Sequence, residues 1–356
     1  MSQATDLDPS GPLEPRSTTE VAVPASGGSG VHLRDVVPID RMHVLRSVLL
    51  GGYLVVYLWW LRARGLPIDR ISVTISLAIF LFCAFIGKSW KAWVVLIVDV
   101  VLYAAMWLAY EQTRTAAYTM GMPLQVESVR NIDRFLFWGN DPNVVLQRHF
   151  WHADIRWWDQ VASTIYYTHF VLPIVVIAVL WAANRRQWLR FMRRFATLLA
   201  VACLMFVLLP TVPPWMAGSR KFSYGIIAPL ERKTYRGFYD LGFKGFVGDW
   251  QKALEWGNPV AAMPSLHSAF SLIVPAFFLP WLRPRWLKVL ALCFPVAMLT
   301  SLVYLGEHWV IDGLVGWSIV GGSFVLWSRL ERWQRCRKAD LATAALDLSP
   351  TAGVCG

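Results

Sequence analysis

Long apolar runs alternate with short polar segments along this chain, a pattern typical of polytopic membrane proteins. A bilayer core about 30 Å thick is crossed by roughly 20 helical residues. Runs of about that length occur near residues 43–61, 71–87, 90–110, 162–183, 195–212, 265–282, 287–306 and 308–328. The pattern predicts an all-α membrane helical bundle of about eight transmembrane helices. A tight turn at Gly306 must join the last two as a hairpin.

The two ends of the chain lack such runs. The first 40 residues are rich in Pro, Ser, Gly and Thr, and they have too little apolar surface to offset the entropy of folding. We therefore expect a disordered N-terminal tail at 1–40, a transmembrane domain at 41–334 and a flexible C-terminal tail at 335–356. No internal repeat and no separate soluble domain is evident.

Composition supports membrane residence and argues against a nucleic-acid partner. The chain is 56% hydrophobic and only 16% charged, whereas an average globular chain is about 25% charged. The formal net charge of +11 comes from Lys and Arg that mostly flank apolar runs, with no basic helix or RNA-binding signature. Such flanking cations orient helices and face anionic lipid.

The placement of these cations predicts how the chain crosses the membrane. Clusters of Arg and Lys occur at 185–194, 283–288 and 329–338, and a smaller one at 62–70 opposes them. Because cytoplasmic loops are enriched in Lys and Arg, the three larger clusters predict cytoplasmic termini. Two long aromatic-rich segments, 111–161 and 213–264, then lie outside, the first with an interfacial helix near 135–150. A bacterial plasma membrane is favoured, with a lumen-facing eukaryotic protein as the alternative.

Two histidines begin predicted spans on this outer side, His267 and His308. Asp312 follows His308 by four residues, so on a helix the two side chains share a face. A carboxylate bonded to Nδ1 of an imidazole leaves Nε2 free as a nucleophile, and phosphorus is its natural electrophile. His267 would then donate a proton to the leaving group. The pattern indicates phosphoryl transfer through a phosphohistidine.

Helix starts also predict a phosphate cradle. Ser265 is a credible N-cap, and two helix N-termini meeting at one point would offer free N–H groups and positive dipole ends to a phosphate. Ser301 and cations of the outer segments would complete the cradle. No CxxC pair or other metal-ligand spacing occurs, so neither a metal nor a cofactor is expected.

These motifs resemble two signatures of the type 2 phosphatidic acid phosphatase superfamily. Pro264-Ser265-Leu266-His267 is similar to PSGH, and Ser301-x6-His308-x3-Asp312 is similar to SRx5Hx3D. The resemblance implies a six-helix catalytic core in which His308 is the nucleophile, His267 the general acid and Asp312 the orienting carboxylate. Leu266, the PTVPPW run at 210–215 and the DRFLFWG run at 133–139 resemble the branch that includes fungal inositol phosphorylceramide synthases.

Leu302 stands where the family has its phosphate-binding Arg, so another cation is needed. Arg220 and Lys221 are the first candidates, followed by Arg134, although each is equally well explained as a solvated loop charge. Asp99, in the middle of a span, either bonds a facing helix or lines a head-group cavity. His169 is interpreted as a polar packing contact.

The favoured function is transfer of a phospho-head group, with phosphoinositol as one candidate, to a lipid or glycan hydroxyl. A lipid or polyprenyl phosphate phosphatase is the close alternative, because hydrolysis shares the first chemical step. A non-catalytic transporter or scaffold is disfavoured since His267, His308 and Asp312 are all present. The expected partners are membrane lipids.

Overall fold

A computed structural model describes residues 41–64, 70–222, 224–238 and 259–345 of the 356-residue chain. The predicted N-terminal tail at 1–40 lies outside these residues. The architecture is all-α, as predicted. Within the described ranges, β-structure is limited to isolated bridges.

The described residues form eleven α-helices. The fourth and fifth of them in chain order are short. The eleven helices are α1 (Arg41–Arg64), α2 (Arg70–Phe85), α3 (Trp90–Thr119), α4 (Glu127–Leu136), α5 (Pro142–Phe150), α6 (Trp157–Ala183), α7 (Arg185–Leu208), α8 (Pro214–Ala217), α9 (Leu266–Phe278), α10 (Arg285–Tyr304) and α11 (Val310–Ala345). Short 3-10 turns follow at Arg220–Phe222, Arg236–Phe238 and Leu279–Trp281. Helix α11 continues past residue 335, where the C-terminal tail was predicted to begin.

Six of these helices are long and apolar enough to cross a membrane: α1, α3, α6, α7, α10 and α11. Two shorter apolar helical segments, Ile75–Phe85 and Leu266–Trp281, correspond to the second and sixth predicted runs. The eight predicted apolar segments are therefore all helical. The predicted interfacial helix near 135–150 is instead two helices, α4 and α5, separated by a turn with Trp138 and Gly139 at positive φ.

The Arg-rich segment 185–194 is not the loop that the sequence predicted. Asn184 alone separates α6 from α7: its N–H donates to Leu180 O, and its side chain accepts from Gln187 N. Residues 185–194 therefore form the first turns of α7. Their cations are stabilised by acidic partners across the bundle, since Arg194, 4% exposed, and Arg190 both pair with Glu331 of α11. Apolar periodicity alone therefore underestimates the length of a helix whose first turns carry cations.

The core of the bundle is formed by α6, α7, α9 and α11, with α10 packed against α6 and α9 and with α3 against α7. Large buried side chains from these helices fill it, among them Phe191, Leu198 and Ile273. Each is almost fully buried between helices, where close packing, and not removal from water, stabilises a membrane bundle. Among the described residues, α1 and α2 pack chiefly against each other, outside this core.

Glycines allow α9 and α11 to approach closely. A Cβ added at Gly316 of α11 would lie 2.7 Å from the carbonyl oxygen of Ser265, and one at Gly313 would lie 3.0 Å from Ser268 Oγ of α9. Small residues at helix interfaces permit such backbone contact. The start of α9 is also bonded to α11, because Ser265 N donates to Asp312 O over 2.9 Å. Sequence-distant His267 is thereby brought to the first turn of α11.

Three connecting segments are bonded together at this same end of the bundle. Parallel bridges join Gln125 to Thr211 and Thr211 to Ala261. Trp309, fully buried, donates from Nε1 to Val212 O at 2.8 Å. These bonds fix the connections after α3, after α7 and before α9 around the turn between α10 and α11.

Candidate active site

The predicted triad is assembled at the start of α11. His308 lies in the turn two residues before the helix, and its Nδ1 is 3.4 Å from Asp312 Oδ2. Nε2 of the same ring is 3.4 Å from His267 Nδ1. Asp312 is fully buried and also accepts from Trp309 N at 2.9 Å. The carboxylate therefore fixes the orientation of His308, while Nε2 on the opposite edge of that ring contacts His267.

The α11 terminus does not offer the free N–H groups that the sequence predicted for a phosphate. Asp133 of α4 accepts from Val310 N at 2.7 Å and from Ile311 N at 2.9 Å, and Asp312 takes Trp309 N. The carboxylates of Asp133 and Asp312 thus accept the hydrogen bonds of these terminal N–H groups and lie at the positive end of the helix dipole. Burial raises the pKa of Asp133 to about 6, against the opposite effect of these two hydrogen bonds.

Ser265 caps α9, as predicted. Its Oγ accepts from Ser268 N over 3.3 Å, and its side chain is fully buried. The same residue supplies the backbone N–H that bonds to Asp312 O. Its role in the structure is to join the two helix starts that carry His267 and His308.

The ring of His267 is packed against two side chains of α6. Its centroid lies 4.8 Å from that of Tyr166 and 3.9 Å from that of His169, with near-parallel planes in both pairs. His169 also stacks on Phe270. The packing role predicted for His169 is present, and the residue is also part of the site wall; its Nδ1 has no hydrogen-bond partner within the described part of the chain. Its i, i+3 spacing from Tyr166 is the sequence signal for this shared face.

A cavity of about 910 Å³ opens at His267 and His308. One part is lined by apolar and aromatic side chains of α3, α6, α7 and α9, including Met106, Phe170 and Leu199. The other part is lined by the connecting segments and is more polar, with Trp215, Arg232 and Tyr235 beside Glu307. The triad lies where an apolar chamber meets a polar one, a layout suited to an amphipathic substrate.

Among the described residues, Arg232 is the Lys or Arg whose side chain lines the cavity, and no local sequence pattern singled it out. Its Nε donates to Glu307 Oε1 at 2.7 Å and its Nη2 to Glu307 Oε2 at 3.3 Å. The guanidinium also lies over the Trp215 ring, 4.1 Å from its centroid. Burial lowers the pKa of Arg232 but the Glu307 carboxylate raises it, and the net direction is upward. Arg232 is a fixed positive charge on the cavity wall that also carries His308.

Neighbouring bonds hold the Arg232 segment in place. Glu231 N donates to Gln147 Oε1 at 2.9 Å, and Gln147 Nε2 donates to Glu231 O and Tyr304 O. Four residues after Arg232, Arg236 donates to the carbonyls of His152, Ala153 and Asp154. The position of Arg232 depends on pairings across more than 70 residues, for which the sequence gives no local signal.

The three cations predicted for phosphate lie elsewhere. Arg220 and Lys221 are exposed on the 3-10 turn after α8, and only their neighbour Phe222 lines the cavity. Arg134 donates from Nε to Gly139 O at 2.9 Å, which closes the turn after α4. Their side chains are absent from the cavity wall formed by the described residues.

Ser301 and Asp99 are also separated from the triad. Ser301 Oγ donates to Ala297 O over 2.8 Å, and the residue lines a second, apolar groove of about 660 Å³ between α6 and α10. Asp99, 6% exposed, accepts from Trp181 Nε1 at 2.9 Å and forms a bidentate pair with Arg185. The second of the two roles open to Asp99, lining the head-group cavity, is therefore not observed; it bonds a facing helix.

No cluster of three or more His, Cys, Asp or Glu side chains suited to a metal ion occurs among residues 41–64, 70–222, 224–238 and 259–345. Imidazole, carboxylate, guanidinium and tyrosine side chains line the described part of the cavity wall.

Sequence comparison relates the chain to a known family and to a bacterial synthase. The sequence model of the PAP2 superfamily matches residues 129–326, more than half of the chain. The chain is also 25% identical over 225 residues to a phosphoinositol dihydroceramide synthase of Bacteroides thetaiotaomicron, covering 60% of this chain and 70% of that protein. No solved structure matches.

The helical bundle, the paired histidines and these similarities define an integral membrane enzyme of lipid phosphoesters, either a phosphotransferase or a phosphatase. The chain belongs to the PAP2 superfamily. The resemblance drawn from the PSLH and Hx3D motifs is confirmed, including its synthase-like branch.

Proposed function

We propose that this protein is a metal-independent membrane phosphotransferase that acts on lipid phosphoesters through a phosphohistidine intermediate. The observation that carries the proposal is the contact of two imidazoles on the cavity wall, one of them held by a buried carboxylate. The favoured reaction transfers a phospho-head group, with phosphoinositol as the leading candidate, to a lipid or glycan hydroxyl. The named activity of the Bacteroides relative supports this choice.

The reaction proceeds in two displacements. Nε2 of His308 attacks phosphorus, an N–P bond forms and the P–O bond to the leaving alkoxide breaks, while His267 donates its proton to that oxygen. In the second step an acceptor hydroxyl attacks phosphorus, the N–P bond breaks and His267 takes the hydroxyl proton. Asp312 holds Nδ1–H of His308 and stabilises the cation that forms on attack. Arg232 offers positive charge to the phosphoryl oxygens.

A phosphatase is the second candidate, and one observation keeps it open. The whole cavity, at about 910 Å³, is large enough to admit water as well as an alcohol. Water in place of the hydroxyl in the second displacement releases free phosphate or a phosphorylated head group.

The decisive experiment incubates purified protein with labelled phospholipids and polyprenyl phosphates, with and without candidate alcohols, and follows new lipids and free phosphate together. We expect His308→Ala and His267→Ala to abolish turnover and vanadate to inhibit, with EDTA having little effect on the chemical step. His149→Ala is the matched control, because this exposed ring bonds only to Val145 O of its own helix. Wild-type activity in either active-site variant would refute the assignment.

The triad is proposed to face the extracytoplasmic side, with both termini in the cytoplasm. Along α11, Asp312 and Glu331 are 19 residues apart, a rise of about 28 Å, close to the thickness of a bilayer core. The Arg190 and Arg194 partners of Glu331 then lie at the cytoplasmic boundary. A membrane-impermeant maleimide should label Lys221→Cys in intact cells and should label Arg335→Cys only after permeabilisation. The reverse pattern would invert the topology.

A further inference from the structure

The polar part of the cavity contains one charged pair that the two-displacement mechanism uses only in part. Arg232 and Glu307 line the wall together, with side-chain exposures of 30% and 10%, and Glu307 directly precedes the nucleophile His308. Phosphate binding accounts for the guanidinium. It does not account for a carboxylate beside a site that receives an anion.

The donors and acceptors that this pair leaves unused indicate which ligand groups would bind to it. A guanidinium has five N–H donors, and Arg232 uses two of them on Glu307. Among the described residues no protein group accepts from the other three. Each Glu307 oxygen accepts one of these bonds and retains lone pairs that only a donor can fill. The pair therefore fits a group that presents phosphate oxygens and hydroxyl donors side by side.

Alternative head groups are disfavoured by the same geometry. A phosphomonoester dianion would place extra negative charge against Glu307. A quaternary ammonium group has no N–H to donate to the free lone pairs of Glu307, and the Trp215 face beside the pair is already covered by the guanidinium of Arg232 at 4.1 Å. An uncharged hydroxylated head group avoids both penalties.

We propose that Arg232 and Glu307 form a recognition site for a phosphodiester with a polyhydroxyl head group, in which Arg232 binds the phosphate and Glu307 accepts hydrogen bonds from head-group hydroxyls. This inference rests on the proposed function and names its donor class. Glu307 is a specificity-determining residue. Trp215 keeps the plane of the guanidinium fixed toward both partners.

The test compares three donors with identical acyl chains: phosphatidylinositol, phosphatidylcholine and phosphatidic acid. Release of diacylglycerol reports cleavage of the same bond in all three. We expect wild-type kcat/KM to be highest for phosphatidylinositol. Glu307→Gln should lower the ratio of phosphatidylinositol to phosphatidic acid kcat/KM at least about 10-fold, because a charge-assisted hydrogen bond is lost and repulsion of the dianion is removed.

Two variants separate recognition from structure. Arg232→Lys should lower kcat/KM for all three donors, since its partner is the phosphate they share. Asp141→Asn removes the carboxylate of a similar bidentate pair with Arg130 outside the cavity, with both bonds at 2.8 Å, and should retain the wild-type donor ratio. Equal losses for all donors in Glu307→Gln, or a wild-type preference for phosphatidylcholine, would overturn the proposal.

Failure of the proposed function gives a different result. In that case no donor releases diacylglycerol above the His308→Ala background. Binding of glycerophosphoinositol and glycerol phosphate, followed by tryptophan fluorescence, then tests the recognition site by itself. Tighter binding of glycerophosphoinositol that is lost in Glu307→Gln supports the inference, and equal binding of the two ligands refutes it.

Discussion

A single methyl group at position 316 tests how the fold builds the active site. In Gly316→Ala the new Cβ would lie 2.7 Å from Ser265 O, about 0.7 Å short of the 3.4 Å at which ordinary contact begins. Ser265 O is a backbone atom, so it cannot rotate away as a flexible side chain would. Helices α9 and α11 must separate, and His267 moves with α9 away from His308.

The size of the effect follows from that displacement. Overpacking of this kind costs about 1–3 kcal/mol of folding free energy. A misplacement on the order of 1 Å between catalytic groups lowers the rate about 100-fold. We therefore expect Gly316→Ala to reduce kcat by roughly 10- to 100-fold and to lower the midpoint of thermal unfolding. Both are measured on purified protein, with diacylglycerol release as the activity assay.

The control is in the same helix. A Cβ at Gly321 meets nothing within 4 Å, and alanine is the better helix former by up to about 1 kcal/mol. Gly321→Ala should keep wild-type turnover and unfold at the same or a higher temperature. Full activity in Gly316→Ala, or an equal loss in Gly321→Ala, would show that close approach of α9 and α11 does not position the histidines.

Two further predictions concern carboxylates. Asp312→Asn should lower kcat by about three to four orders of magnitude while the protein still folds, because the amide cannot stabilise the His308 cation. The amount of labelled phosphoenzyme trapped at short times should fall in parallel. A loss of kcat under about 10-fold would contradict this role of Asp312. Burial raises the pKa of Asp133 from 3.8 to about 6. Between these pH values the folded state holds a proton that the unfolded state has released. The free energy of unfolding therefore falls as pH rises through this window, by up to about 3 kcal/mol. The melting temperature of wild type minus that of Asp133→Asn should therefore decrease from pH 4 to pH 7, and a constant difference would show that Asp133 does not titrate there.

The sequence predicted well those features that depend on local pattern. Apolar runs located the eight helical segments because a bilayer imposes their length and composition. The four-residue spacing of His308 and Asp312 predicted their contact, although His308 lies in the turn before α11 and not on the helical face that the spacing assumed. The apolar pattern was less accurate at 185–194, where cations paired with Glu331 and Asp99 remain helical.

Features that depend on distant pairings were not predictable in this way. The free amides expected at the start of α11 are occupied by Asp133, which is 177 residues away from Val310 in the chain. Arg220, Lys221 and Arg134 were reasonable choices by proximity to motifs, yet Arg232 lies on the cavity wall. A connecting segment has no periodicity that would tell which of its cations turns inward.

By itself, the sequence determined the class of fold, the residues of the triad and their places at helix starts, because each follows from short-range spacing and from the length that a membrane requires. Only the tertiary structure decided which side chains surround that triad: the His169 and Tyr166 packing, the Asp133 cap and the Arg232–Glu307 pair. These contacts depend on how closely helices approach and where loops cross them, and both are set by the packing of the whole bundle.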